Sequence, residues 1–362
     1  MEQTDEKIGA DNKIAAQAFM FANRLDKQYK HLRKWARRTA VSSYRLYDKD
    51  IPEIPLAVDL YQEAGTGNRF LHIALYERPY DKPDSEEEVW MLAMKAAAAD
   101  ILKIPEERVF TKLRKHQRGE ESQYERLSSS GGKITIEEGG SHFLVNLQDY
   151  LDTGIFLDHR PARLMIRSES AGKRVLNLFC YTGAFSVHAA AGGASLVTSV
   201  DLSKTYLAWA AENLCLNGFA TVSPGAGHAG KTTDPSSRWP CIHADVKAFL
   251  ASAKRAGDTW DIIICDPPTF SNSKRATDTL DINRDWAELC RSCLALLSPN
   301  GSLYFSTNSR SLRFDPSLVG GAAVREDTGI VDLSAQSVPE DFRNKNIHRL
   351  WKFTLDLTNP NI

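Results

Sequence analysis

Between Arg174 and Phe270 the hydrophobic pattern alternates between strand-like and helix-like runs, and this alternation limits the possible folds more than anything else in the chain. An apolar run from Arg174 breaks at Tyr181, Thr182 and Gly183, and a helical pattern carrying Phe185, Val187, Ala189 and Ala190 follows it. A second run, Leu196 to Asp201, ends on an acid. A third, Trp260 to Asp266, ends on an acid followed by Pro267 and Pro268. Such alternation predicts an α/β domain, Rossmann-like, with a mostly parallel sheet wrapped on both faces by helices. In such a sheet a ligand sits beyond the carboxyl ends of the strands, where strand order reverses.

At 362 residues the chain can hold two domains with separate cores. Residues 1–12 are polar without periodicity and are expected to be disordered. Phe19 to Arg38 predicts an amphipathic helix with Phe21, Leu25, Tyr29, Leu32 and Ala36 on one face and Lys/Arg on the other. Short strand-like runs at 45–47, 56–61 and 70–76 and an Ala-rich helical stretch at 89–102 complete a smaller α+β domain, residues 13–149. A hairpin over 133–147, turning at Gly139 and Gly140, closes it. The main domain is expected over 150–362, interrupted by a Gly/Ser/Pro-rich surface loop at 223–239.

A net charge of -1 exerts no global pull on a polyanion. Basic residues are clustered locally, at 24–38 and 112–118, and the first cluster reads either as a solvated helix face or as a rail for RNA phosphates. The six cysteines are scattered; Cys180, Cys241 and Cys265 sit in or beside apolar runs, which suits a reducing, cytoplasmic setting without disulfides. Cys290 and Cys293 form a C-x-x-C inside a helical pattern with no second ligand pair, which favours core packing, and no metal is expected. No apolar run approaches the roughly 18 residues of a membrane span, so a soluble protein is expected.

The residues at the strand ends suit a nucleoside-bearing ligand. Gly183 permits close backbone approach, and the helix after it points amides outward. Asp201 stands where a carboxylate accepts from both ribose hydroxyls, and Asp245 where an acid accepts from an adenine amino group. Taken singly, Gly183 and Asp201 also fit an ordinary tight turn and a surface acid. The turn lacks the G-x-G-x-x-G glycines that admit a pyrophosphate, which argues against a nicotinamide cofactor and for S-adenosyl-L-methionine. Pro267 and Pro268 stiffen the backbone leaving the sheet, and Phe270 offers an aromatic face for a base. Asp158 and Arg160 lie in the segment ahead of the first strand and can close the cofactor pocket; Arg160 equally suits a structural ion pair. Asn308 and Arg310, at the end of the next strand, and Lys274 and Arg275, after the reaction loop, are expected on base or phosphate, or else as exposed loop residues.

Phe21 to Lys27, Tyr150 to Arg160, Asn177 to Gly183, Val200 to Ser203 and Asp266 to Lys274 resemble segments of the C-terminal half of the bifunctional RlmK/L-type 23S ribosomal RNA methyltransferases. The resemblance covers nearly the whole chain and implies a class I S-adenosylmethionine methyltransferase that modifies guanine N7 of 23S rRNA or a large-subunit precursor. It implies a cofactor site of Asp158, Arg160, Asn177, Phe179, Tyr181, Thr182, Gly183, Asp201, Leu202, Ser203, Asp245 and Asp266, and a reaction site of Asp266, Pro267, Pro268, Thr269 and Phe270. It also implies a partner in the form of an N-terminal guanine-N2 methyltransferase half. Two alternatives stay open. A cytosine-C5 enzyme of the RlmI type needs a nucleophilic cysteine, and only Cys180 and Cys265 lie near the motifs. A small-molecule methyltransferase would share the cofactor site without needing the basic N-terminal domain.

Overall fold

The structure is a computed structural model that describes residues 2–76, 83–114, 131–220, 238–271, 279–319 and 329–355. Most of the expected 223–239 loop falls outside the described residues. The chain opens with α1 (Glu2–Arg38), followed by β1 (Tyr44–Asp48), β2 (Leu56–Gln62), β3 (Arg69–Tyr76), α2 (Asp84–Leu102) and β4 (Val109–Arg114). The four strands pair in the order β1-β2-β3-β4, antiparallel except for the last pair. One face of this sheet is covered by α1 and α2. Phe21, Leu25, Leu32 and Trp35 of α1 and Trp90, Met91 and Met94 of α2 pack on Leu46, Val58 and Ile73. The apolar stripe expected on α1 is the buried one, with Tyr29 half-buried beside it. The helix begins at Glu2, within the stretch expected to be disordered.

The hairpin of β5 (Ile134–Glu138) and β6 (Ser141–Val145) turns at Gly139 and Gly140, both at positive φ. Its Ile136, Phe143 and Val145 enter the core that also holds Ile155, Val175 and Val187, so it packs with the larger sheet. After α3 (Arg160–Glu169) come β7 (Arg174–Leu178), α4 (Ala184–Ala191), β8 (Leu196–Asp201), α5 (Lys204–Leu216), β9 (Cys241–His243), α6 (Val246–Ala256) and β10 (Trp260–Cys265). A two-strand ribbon, β11 (Phe270–Ser271) with β12 (Leu280–Asp281), precedes α7 (Ile282–Leu294) and β13 (Leu297–Thr307). The described chain ends with β14 (Gly329–Asp332), α8 (Ser334–Ser337) and β15 (Arg349–Thr354). The seven-stranded sheet has the order β14-β15-β13-β10-β7-β8-β9. Its five strands from β13 to β9 run parallel, and β15 and β14 add antiparallel at the other edge. Cys290 and Cys293 are fully buried in the core beneath α7, in keeping with their helical setting.

This topology puts the functional loops together. From β7 the chain adds β8 and β9 on one side, then crosses to place β10 and β13 on the other. The order therefore reverses between β7 and β10, and the turn after β7 and Asp266 after β10 flank that crevice.

Candidate active site

Phe179, Tyr181 and Gly183 all adopt positive φ, so the turn after β7 folds tightly back on itself. Asp201 at the end of β8 ties this turn to the next one. Its Oδ2 accepts the Tyr181 N–H at 2.9 Å, and its Oδ1 accepts the Ser203 N–H at 2.8 Å. Burial pushes the Asp201 carboxyl up to about 6, against the lowering effect of those backbone bonds. Ser203 also caps α5, and the Leu202 carbonyl is held by His243 Nε2 at 3.0 Å. Asp245 caps α6 through Oδ1, which accepts the Ala248 N–H at 3.0 Å. The β8–β9 register sets His243 opposite Asp201, which brings the two acids to one side of the crevice.

Several predicted residues do other work. A Cβ on Gly183 would lie 2.8 Å from the Ala210 Cβ, so this glycine serves a left-handed turn and the close approach of α5. Asn177 is 1 % exposed and donates to Ser186 Oγ at 2.9 Å, beneath the sheet surface. Thr182 is fully buried; its hydroxyl donates to the Gly154 carbonyl at 2.5 Å, and its own carbonyl accepts from Asn213. Asn177 and Thr182 thus shape the turn from behind. Arg160 is held by buried ion-pair and hydrogen-bond partners. It is 4 % exposed, donates to Asp341 Oδ1 at 3.1 Å and to the Ser43 carbonyl at 2.6 Å, and joins the two domains. A buried guanidinium must find acceptors for its five donors, and the domain junction supplies them. Of the two readings of Arg160, these contacts support the structural ion pair.

Asp158 stays at the site. Its Oδ2 accepts from His348 Nδ1 at 2.8 Å and lies 3.8 Å from His159 Nε2. Burial alone would raise its carboxyl, but His159 and the His348 hydrogen bond hold it well below the usual range. His159 Nε2 also lies 3.9 Å from Asp266 Oδ2, so His159 bridges the cofactor segment and the reaction loop. Burial pushes the His159 imidazole below its ordinary value, with Asp266 and Asp158 pulling the other way. Its ring stacks on His348 with centroids 4.0 Å apart and planes at 17°. Asp158, His159 and His348 bring ligand-type atoms within 4.8 Å of one another. Both nitrogens of His348 are engaged, however, the second by Ser337 at 2.9 Å, and stacked rings direct their in-plane lone pairs side by side rather than at one point. The geometry is that of a hydrogen-bonded cluster.

Sequence reasoning missed His159 and His348. His159 stands inside the Tyr150–Arg160 segment, between two residues that the motif does mark. His348 is 190 residues from Asp158, and nothing local marks it. Phe156, a fixed position of the same motif but not among the expected site residues, sets its ring 5.2 Å from that of Tyr181.

On the reaction side, Asp266 accepts from the Ser306 hydroxyl on β13. The Thr269 hydroxyl donates to Asn308 Oδ1 at 2.5 Å, and the Thr269 carbonyl accepts the Ile282 N–H at 3.1 Å. Pro267 is buried and Pro268 half-buried, while Phe270 is pinned by ribbon pairing to Asp281 yet leaves 43 % of its surface exposed. Arg310 is exposed two residues beyond Asn308. Lys274 and Arg275 lie outside the described residues. Cys265 is fully buried, and burial together with Cys293 raises its thiol. Cys180 is buried under the cofactor turn, its thiol raised by burial and by Asp201.

The sequence profile of the S-adenosylmethionine-dependent methyltransferases matches residues 105–344. The chain is 46% identical over 337 residues to the ribosomal RNA large subunit methyltransferase K/L of Pseudomonas paraeruginosa strain PA7, covering 93% of this chain and 42% of that protein. It is 45% identical over 344 residues to the protein of the same description from Pseudomonas putida strain F1, covering 95% and 43%. The chain thus spans less than half the length of these curated relatives. Among solved structures, the crystal structure of the methyltransferase SMU.776 complexed with SAH superposes with a TM-score of 0.66 at 25% identity, covering 92% of this chain and 82% of the other.

Proposed function

The chain belongs to the S-adenosylmethionine-dependent methyltransferase family, and from that premise we propose that it methylates N7 of a guanine in large-subunit ribosomal RNA by direct transfer. The RNA class is supported by the relatives described as ribosomal RNA large subunit methyltransferases, which share 45–46% identity over more than nine-tenths of the chain. The guanine-N7 assignment follows from the motif resemblance at Tyr150–Arg160 and Asp266–Lys274.

The site fits the cofactor. The Asp201 carboxylate accepts the Tyr181, Ser203 and Leu202 N–H groups, and its remaining acceptor position suits a ribose hydroxyl. Asp245 uses only Oδ1 in capping α6, so Oδ2 is left to accept an amino group. The aromatic faces of Phe156 and Tyr181 stand beside the turn. When bound, S-adenosylmethionine supplies a methyl carbon made electrophilic by a positively charged sulfur.

The chain's own contribution is positioning and electrostatics. Guanine N7 offers a lone pair and carries no proton, so no side chain has to act as a base. Phe270 presents a ring on which a base can stack, and Pro267 and Pro268 hold the loop that carries it. As methylation makes the imidazole part of guanine positive, the negative field of Asp266 stabilises the product-like transition state. The Ser306 hydroxyl fixes that carboxylate in place, with His159 Nε2 3.9 Å away. Orienting the two reactants and excluding water can supply several kcal/mol of the barrier.

One observation carries the direct-transfer reading. Among the described residues, the thiols nearest the reaction loop and the cofactor turn, Cys265 and Cys180, are buried and held in the thiol form, so neither is poised for covalent attack on a pyrimidine. The test is transfer of labelled methyl to unmodified large-subunit RNA, with mass spectrometry of the nucleosides. N7-methylguanosine is the expected product. Label in 5-methylcytidine, or label only in small molecules, would overturn the reading.

A further inference from the structure

The cleft between the small domain and the large one plays no part in the chemistry above. It encloses about 440 Å³, within the roughly 300–1,000 Å³ typical of small-ligand sites. Lys49 and Tyr76 line it from the small domain, and Arg310 and Arg343 from the large one. Two acids, Asp48 and Asp50, line it as well, and Asp50 is neutralised from outside. Asp50 Oδ2 accepts from Arg24 at 2.6 Å and from Gln28 at 3.1 Å, and Asp48 lies 3.9 Å from Arg45. With Asp50 paired by Arg24, Arg310 and Arg343 outweigh the remaining acid, Asp48, and give the cleft a positive balance. Arg343 approaches Asp50 only to 3.7 Å, and its side chain is 64% exposed, so its fork of donors remains presentable. Lys49 sits 4.0 Å over the Tyr76 ring, which keeps a cation and an aromatic face together on the opposite wall.

Two chain segments link this cleft to the reaction loop. Arg310 follows by two residues Asn308, which holds Thr269; two residues of extended chain reach at most about 7 Å. Ile347, also in the wall, precedes His348, whose ring stacks on His159 beside Asp266. We propose that the cleft holds the single-stranded RNA flanking the target base, with Arg310 and Arg343 gripping a backbone phosphate and Tyr76 bordering the adjoining nucleotide. Guanidinium forks match phosphate oxygens two at a time, and phosphate contacts set register without reading sequence. The cleft thereby selects which base along the strand reaches Phe270. This proposal rests on the RNA reading given above.

The test compares the wild-type chain with an Arg310→Ala/Arg343→Ala double variant. Fluorescence anisotropy with a short labelled single-stranded oligoribonucleotide reads RNA affinity across a salt series, and calorimetry with SAH reads the cofactor site. The double variant should bind RNA roughly tenfold or more weakly, with a salt slope reduced by about 0.7 for each phosphate no longer neutralised and SAH affinity unchanged. Unchanged RNA affinity and slope, in a variant that methylates RNA like the wild type, would overturn the cleft and leave the catalytic reading standing. A wild-type chain that neither binds nor methylates RNA would overturn the RNA reading itself and the cleft with it. Should the double variant lose SAH binding, 4-thiouridine crosslinking on the wild-type chain decides instead. Adducts on Tyr76 or residues 343–347 support the cleft, and adducts confined elsewhere refute it.

Discussion

Lowering the pH from 8 to 5 should weaken cofactor binding, and an Asp201→Asn variant should abolish that pH dependence. Burial holds the Asp201 carboxyl at about 6, so it is ionised at pH 8 and about nine-tenths protonated at pH 5. Protonation exchanges charge-assisted hydrogen bonds, worth about 1.5–3 kcal/mol each, for neutral ones worth about 0.5–1.5 kcal/mol. With the Tyr181, Ser203 and Leu202 N–H groups already on the carboxylate, one acceptor position is left and one bond is affected, a loss of about 1 kcal/mol, or roughly fivefold in affinity. Calorimetric titration with SAH should show the dissociation constant beginning to rise near pH 6.5 and levelling off at the Asp201→Asn value. The fold should respond with the opposite sign. A carboxyl whose folded-state pKa is raised contributes stability that is intact below its unfolded value and lost as pH rises through about 6, so Asp201 destabilises the chain without cofactor at neutral pH. A dissociation constant that stays level from pH 8 to 5 would refute the reasoning. So would an Asp201→Asn variant with the wild-type slope, which would move the dependence to another group such as His159.

Four further outcomes are expected. Asp266→Asn should lower turnover on RNA by roughly tenfold to a hundredfold through loss of the negative field, and unchanged kcat with SAH still bound would remove that role. Phe270→Ala should weaken RNA binding by about 1–3 kcal/mol while thermal stability stays within about 0.5 kcal/mol, which anisotropy and melting curves check together. Gly183→Ala should destabilise the fold by about 2–4 kcal/mol, because alanine is strained at φ 76° and its Cβ would meet Ala210; chemical denaturation measures this, and Ala210→Gly should restore only the steric part. Glu138→Ala should cost about 3–5 kcal/mol in the same assay, since Arg163, which now donates to both carboxylate oxygens at 2.6 and 2.8 Å, would be left buried without its partner.

Much of the site was legible because class I methyltransferase chemistry sits at the ends of consecutive strands. Strand periodicity located β7, β8 and β10, and the residue closing each run, Gly183, Asp201 or Asp266, stands beside the crevice. Ser203 and Asp245, read from the sequence as cofactor contacts, each begin a helix. Local signals failed where a side chain's role depends on which way it points. Arg160 and Asp158 are two residues apart in one motif, yet one joins the domains and the other faces the site. Asn177 and Thr182 stand in the cofactor motif and turn inward to support it.

The sequence by itself determined the alternation of strands and helices, the αL turn at Gly183, the acids that end β8 and β10, and the stiff Pro-Pro exit, because each depends on neighbours a few residues away. Only the tertiary structure decided that His348 reaches Asp158, that Ser306 holds Asp266 with His159 close by, and that Lys49 and Arg310 face one cleft. Those pairings join residues 40 to 190 positions apart and more, across two sheets. Packing brings such partners together, and no periodicity along the chain records the packing.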